Sequence, residues 1–224
     1  TQDSFLAVND SPTGGGKTMS WLAPVVERGE HILALYPTNA LIHDQERNIR
    51  AELSEKFPET ELGENIELLT VTADTLRGEY AERFPEAATN GTRLRRLLRE
   101  DIYRGDTQVI LLTNPDIFVM MRRSLYGRSG NPGANVRALN EFGTVVIDEF
   151  HRAGRKEQNT LLFLLDEMYD LPGYRCALSR IVLLSATPTD WLEDRFGSGM
   201  SPPYHRVTEQ RDEIERRPFD DGPS

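Results

Sequence analysis

The stretch "AVNDSPTGGGKTMSWLAPVV", Ala7 to Val26, decides the fold. It joins a short apolar run to a glycine-rich turn ending on Lys17-Thr18, and the turn leads into a helix-forming segment. Gly14, Gly15 and Gly16 carry no side chain, so successive backbone N–H groups can turn inward around phosphate oxygens, and the helix that follows adds the positive end of its dipole. Ser11, Pro12 and Thr13 complete the loop, with Ser11 where the general pattern has its first glycine. Lys17 supplies a point charge for the terminal phosphates, and the Thr18 hydroxyl is placed to ligate magnesium. The loop alone names a ligand, a magnesium-bound nucleoside triphosphate, and leaves the task open.

Working outward, short runs rich in Val, Ile and Leu recur: "FLAV", "HILALY" from His31, "IELLTVT" from Ile66, "QVILLT" from Gln108, "TVVID" from Thr144 and "IVLLSA" from Ile181. They are nearly continuous rather than alternating, as in a parallel sheet buried on both faces. Helical segments separate them. Leu41, Ile42, Gln45, Ile49 and Leu53 mark one face of a helix from about Asn39 to Phe57, and Leu161 to Tyr169 offers another. This alternation predicts an α/β domain over residues 1–190, three-layered, with a mostly parallel sheet and the loops after its strands gathered at one edge. Residues 76–106, with the helix-like "RLRRLLREDIY", and 122–142, glycine-rich and expected to be mobile, read as insertions. No strand signal follows Ala186, so 191–224 reads as an exit linker and a polar tail.

The chain has 224 residues, one cysteine (Cys176), 36 acidic and 26 basic residues, and a net charge of −10. The length suffices for a core without staples, and one cysteine excludes a disulfide framework and points to a reducing compartment. With no leading apolar signal and no long apolar run, the expectation is a cytoplasmic protein without a membrane partner. Only Lys17, Lys56 and Lys156 are lysine; the other basic residues are arginine. An acidic, lysine-poor surface suits high salt, so a halophilic source is expected, with GC-rich coding bias as the alternative. Acidity also argues against nucleic-acid binding, which normally uses a basic face. Motifs have to outweigh it.

In "TVVIDEFH" an apolar strand ends on two adjacent acids. Asp148 can hold magnesium directly or through its waters, and Glu149 can polarise the water that attacks the terminal phosphate. Three more boxes close apolar strands: "YPTNALIHDQ" from Tyr36, "TNPDIF" from Thr113 and "LLSATP" from Leu183. Each offers small hydroxyl residues, a proline and backbone N–H groups at a helix start, a chemistry suited to a sugar-phosphate backbone rather than to bases.

From Val8 to Pro188 the chain resembles the superfamily 2 helicases: "SPTGGGKT" is similar to their motif I, "PTNAL" to motif Ia, "DEFH" to motif II and "SAT" to motif III. Within that superfamily "YPTNALIHDQ" and "VIDEFH" look most like the CRISPR-associated helicase of type I systems, particularly type I-D. The resemblance implies a RecA-like domain that binds ATP and Mg2+ and moves along single-stranded nucleic acid, most readily DNA engaged by a guide-RNA surveillance complex, with a separate nuclease subunit. It implies that Pro37, Thr38, Asn39, Thr113, Asn114 and Pro115 contact the strand. Ser185, Ala186 and Thr187 would couple hydrolysis to movement, and His151 would sense the nucleotide.

The family's motor has a second RecA-like domain that supplies arginine fingers, and none of that domain's boxes is visible here. The adenine-reading glutamine segment is not recognisable either; Gln2 is too close to Ser11 for that part. His43-Asp44 could suggest a nuclease metal site, but the other histidines (His31, His151, His205) lack the spacing. Arg93, Arg95, Arg96 and Arg99 read as a solvated helix face paired with acids such as Glu100 and Asp101. The alternatives left open are a general superfamily 2 helicase acting on DNA or RNA, and an ATP-binding module without turnover.

Overall fold

A computed structural model describes residues 5–9, 16–59, 62, 64–103, 107–123, 138–152, 154, 158–163, 178, 180–185 and 204–207. All six apolar runs are strands: β1 (Phe5–Asn9), β2 (His31–Leu35), β3 (Ile66–Val71), β4 (Gln108–Thr113), β5 (Phe142–Ile147) and β6 (Arg180–Leu184). A seventh strand, β7 (Tyr204–Val207), pairs with β1. The order across the sheet is β3-β4-β2-β5-β6-β1-β7, and every pairing is parallel.

Alternation along the strands builds two cores. Ile32, Ala34, Ile110, Leu112 and Val146 face one side, where they meet Trp21, Leu22 and Val25 of α1 (Lys17–Arg28) and Ile42, Ile49 and Leu53 of α2 (Asn39–Lys56). Leu33, Leu35, Val109, Leu111, Val145 and Ile147 face the other, against α6 (Pro115–Arg123) and a group of short helices. Helix, sheet and helix thus form the three layers expected of long apolar strands buried on both faces. Among the described residues, no helix is long and apolar enough to cross a membrane.

Several expectations need correction. The tail after residue 190 is not only linker, because Tyr204–Val207 extends the sheet. Of residues 76–106, the described part, 76–103, contributes to the core: α3 (Ala73–Arg77), α4 (Glu79–Arg83), α5 (Asn90–Leu97) and the π-helical Leu98–Tyr103 bury Leu76, Tyr80, Phe84, Leu94, Leu97, Leu98 and Ile102 against the sheet. Of 122–142, the first two residues end α6, 138–140 form a helical turn and Phe142 opens β5; 124–137 lie outside the described residues.

The arginines match the expected solvated face only in part: the side chains of Arg96 and Arg99 stay 39% and 40% exposed and Arg99 meets an acid as expected, but Arg93 and Arg96 reach across to neighbouring segments. Arg93 donates to the Leu76 carbonyl (3.2 Å) and to Asn90 (3.1 Å), and Arg96 pairs with Glu86. Arg99 pairs with Glu100, while Asp101, 8% exposed, is held by Arg83 through Nη1 at 2.8 Å. The guanidinium groups of Arg83, Arg93 and Arg96 thus tie these short segments together.

At the edge where the strands begin, Arg180 of β6 grips Glu30 with contacts of 2.6–3.1 Å. A Cβ built on Gly143 would meet Glu30 Oε2 at 2.9 Å and its Cβ at 3.3 Å. Because Arg180 fixes that carboxylate, Glu30 cannot swing away. Gly143→Ala is expected to lower unfolding free energy by about 1–3 kcal/mol in urea denaturation. Wild-type stability would contradict this reading of the contact.

Candidate functional site

Parallel register places the ends of β1, β2, β5 and β6 side by side: Leu35 lies opposite Ile147, Ile147 opposite Leu183, and Leu184 opposite Asn9. Backbone pairing runs one residue further, with Asp148 N–H donating to the Leu35 carbonyl (2.9 Å) and Ser185 N–H to that of Asn9 (3.0 Å). The loops after these strands therefore share one edge. There Gly16, Lys17, Thr18, Asp148 and Glu149 line a single cleft of about 430 Å³, which continues between α1 and α2 past Trp21, Gln45 and Glu52.

Gly16 precedes α1 with φ 71, the left-handed conformation that glycine adopts without strain. Helices α2, α3 and α5 are capped by the threonines Thr38, Thr72 and Thr89, whereas α1 has no side-chain cap and no acid in its first turn. Its N-terminal amides suit an anion. Ser20 anchors that turn to β1, accepting from Asn9 Nδ2 at 3.3 Å and donating to the Lys17 carbonyl at 2.7 Å. The Thr18 hydroxyl donates to Gln45 Oε1 at 3.2 Å. Ser11, Pro12, Thr13, Gly14 and Gly15 lie outside the described residues.

Asp148 accepts the Glu149 N–H at 2.8 Å. Burial pushes its carboxyl above its ordinary value, against the opposing pull of that hydrogen bond and of the Lys17 charge. Glu149 has φ 51, the one positive φ on a non-glycine among the described residues, a conformation that costs about 1 kcal/mol or more. Its carboxylate meets His151 Nε2 at 3.2 Å, and His151 Nδ1 meets Ser185 Oγ at 3.0 Å. The chain Glu149–His151–Ser185 links the ends of β5 and β6 and can orient the carboxylate toward the cleft. Ala186 and Thr187 lie outside the described residues.

An oxygen set of one hydroxyl and one half-buried carboxylate beside a helix end suited to an anion fits magnesium, which keeps several waters and takes its remaining ligands from phosphate. The donors present therefore fit a magnesium-nucleotide. For His43 and Asp44 the placement differs. Both are exposed, Asp44 pairs with Arg47, and no cluster of three or more potential ligands occurs among the described residues.

The second group of expected residues sits along the same edge, toward β4. Thr38 is exposed and caps α2, Asn114 Nδ2 donates to Asn39 Oδ1 at 3.0 Å, and Pro115 begins α6. Thr113 does not face outward: it is fully buried and donates its hydroxyl to the Val71 carbonyl at 2.6 Å. Two partners escaped the sequence reading. Asp74 accepts from Asn39 at 3.5 Å, and Gln45 pairs with Thr18; only Gln45 carried a signal, as a polar residue on the inner face of α2.

A carboxyl raised on folding costs stability when charged, so the cost is present at pH above the folded value and vanishes as pH falls below the unfolded one. Asp148→Asn, whose Oδ1 still accepts from Glu149, is expected to melt above the wild type near pH 8 without magnesium. The gap should close toward about pH 4. A variant that melts no higher at either pH would contradict the burial argument.

Among solved structures, two of the helicase MrfA resemble the chain: one bound to DNA (21% identity, TM-score 0.56) and one bound to DNA and AMPPNP (21%, 0.54). They match 92% of this chain and 25% and 24% of theirs. The Hef helicase domain of Pyrococcus furiosus is 18% identical with a TM-score of 0.50, matching 93% of this chain and 36% of its own. The chain thus spans about a quarter to a third of these structures, and the likeness is one of fold. No curated protein matches. The DEAD/DEAH box helicase model matches residues 4–195, most of the sequence, and the chain belongs to that family.

Proposed function

We propose that the chain is the ATP-binding motor domain of a nucleic-acid helicase or translocase. The observation that carries this is the convergence of Gly16, Lys17, Thr18, Asp148 and Glu149 on one cleft at the edge where the strands end. In this reading the α1 amides and Lys17 hold the phosphates, and Thr18 and Asp148 hold magnesium. Glu149, oriented by His151, takes a proton from the attacking water. Bound magnesium neutralises charge that develops on the phosphates.

Pro37, Thr38, Asn39, Asn114 and Pro115 form the surface for a single strand, gripping its backbone through helix-start amides and side-chain amides. This local mode explains how a chain of net charge −10 can bind nucleic acid. MrfA, of the same fold, is bound to DNA and AMPPNP, which supports both ligands here. A second RecA-like domain closes the cleft and brings arginine to the terminal phosphate, with Ser185, Ala186 and Thr187 transmitting closure to the strand. The finer assignment, a CRISPR-associated helicase working with a guide-RNA surveillance complex and a separate nuclease subunit, rests on "YPTNALIHDQ" and "VIDEFH". Turnover stimulated by such a complex beyond that given by free single-stranded DNA would favour it.

ATP binding and hydrolysis by the chain, with and without single-stranded DNA, test the proposal. Binding with little turnover is expected, because an arginine finger in related enzymes contributes about 10³–10⁵-fold. Lys17→Ala should weaken binding about 10- to 100-fold. Unchanged binding in Lys17→Ala would overturn the site, and fast DNA-stimulated turnover by the chain alone would overturn the need for a second domain.

A further inference from the structure

We propose that Gln45 is a positioning residue for the magnesium site: its Oε1 accepts the hydrogen bond of the Thr18 hydroxyl, so that the lone pairs of Thr18 Oγ1 face the cation. The proposal rests on the reading of the cleft as a magnesium-nucleotide site. A hydroxyl has one proton and two lone pairs. Left to rotate, it can aim the proton at a cation and repel it. The bond from Thr18 Oγ1 to Gln45 Oε1, 3.2 Å long, fixes the proton on the α2 side, and both residues line the cleft that holds Asp148 and Glu149.

The acceptor is itself held in place. Glu46, the next residue, accepts from Thr70 of β3 at 2.9 Å and from Arg50 at 2.9 Å. Ile42 and Ile49, on the turns either side of Gln45, are fully buried against the sheet. Helix α2 therefore cannot roll without breaking its core face, and Gln45 keeps its distance to Thr18. Outer partners that orient a metal ligand in this way typically contribute 10- to 100-fold to metal affinity. The same helix begins at Thr38 and Asn39, about two turns from Gln45. A single rigid rod thus joins the hydroxyl of the cleft to the surface proposed to grip the strand.

The test is equilibrium binding of a fluorescent AMPPNP analogue to the chain, in EDTA and across a magnesium titration. Gln45→Leu should leave the metal-free affinity at the wild-type value and raise the half-saturating magnesium about 10-fold or more. Gln45→Glu keeps an acceptor at the same reach and should titrate at or below the wild-type midpoint. Gln45→Asn, one methylene shorter, should behave like Gln45→Leu, so these two variants carry the test if Gln45→Leu does not fold. A wild-type magnesium midpoint in Gln45→Leu or Gln45→Asn, while Thr18→Ala is shifted, overturns the role of Gln45 alone. Equal loss with and without metal also overturns it, as a purely structural effect. A wild-type midpoint in Thr18→Ala overturns the magnesium reading beneath it.

Discussion

Everything at the cleft depends on the parallel register of β1, β6, β5 and β2. Parallel strands joined by crossovers all point the same way, so the loops that leave them must meet at one edge. The backbone bonds that continue past the strands, from Asp148 to Leu35 and from Ser185 to Asn9, hold that edge in line for one more residue. The start of α1, an acidic pair and a serine from distant parts of the sequence then need no further device to become neighbours. The buried grip of Arg180 on Glu30 performs the corresponding task where the strands begin.

The cleft holds features that folding alone would disfavour. Asp148 is pushed above its ordinary range by burial, and Glu149 adopts a left-handed backbone. Both costs fall on the two acids to which the proposal gives the metal and the attacking water, next to a helix start without a side-chain cap. Strain and desolvation of this kind persist where the surroundings over-determine the geometry. Here the strand pairing, the Glu149 N–H to Asp148 bond and the Glu149–His151–Ser185 chain supply that determination.

The central strands were legible in the sequence because each is buried on both faces, which writes itself as an unbroken apolar run. β7 was not: it pairs with β1 alone, and "YHRV" is short and half polar. Gly16 to Thr18, Asp148 and Glu149 could be read together from the sequence because each group follows an apolar run, and the structure places them along one cleft. The fate of Thr113 was hidden, since a threonine closing a strand can point to solvent or, as here, donate to Val71 inside the sheet. The arginines of α5 misled for a similar reason. Two of their partners, the Leu76 carbonyl of α3 and Glu86 in the turn after α4, come from neighbouring segments and not from the same helix face. Gln45 required the distance to Thr18, 27 residues away, before its role could be seen.

The most direct test of the account is hydrogen exchange of the chain with and without magnesium-AMPPNP. The account predicts protection confined to the loop from Ser11 to Gly16 and the first turn of α1, to residues 148–152 and to Ser185, with the edge where the strands begin unchanged. Protection absent from those segments, or centred elsewhere on the sheet, would contradict it.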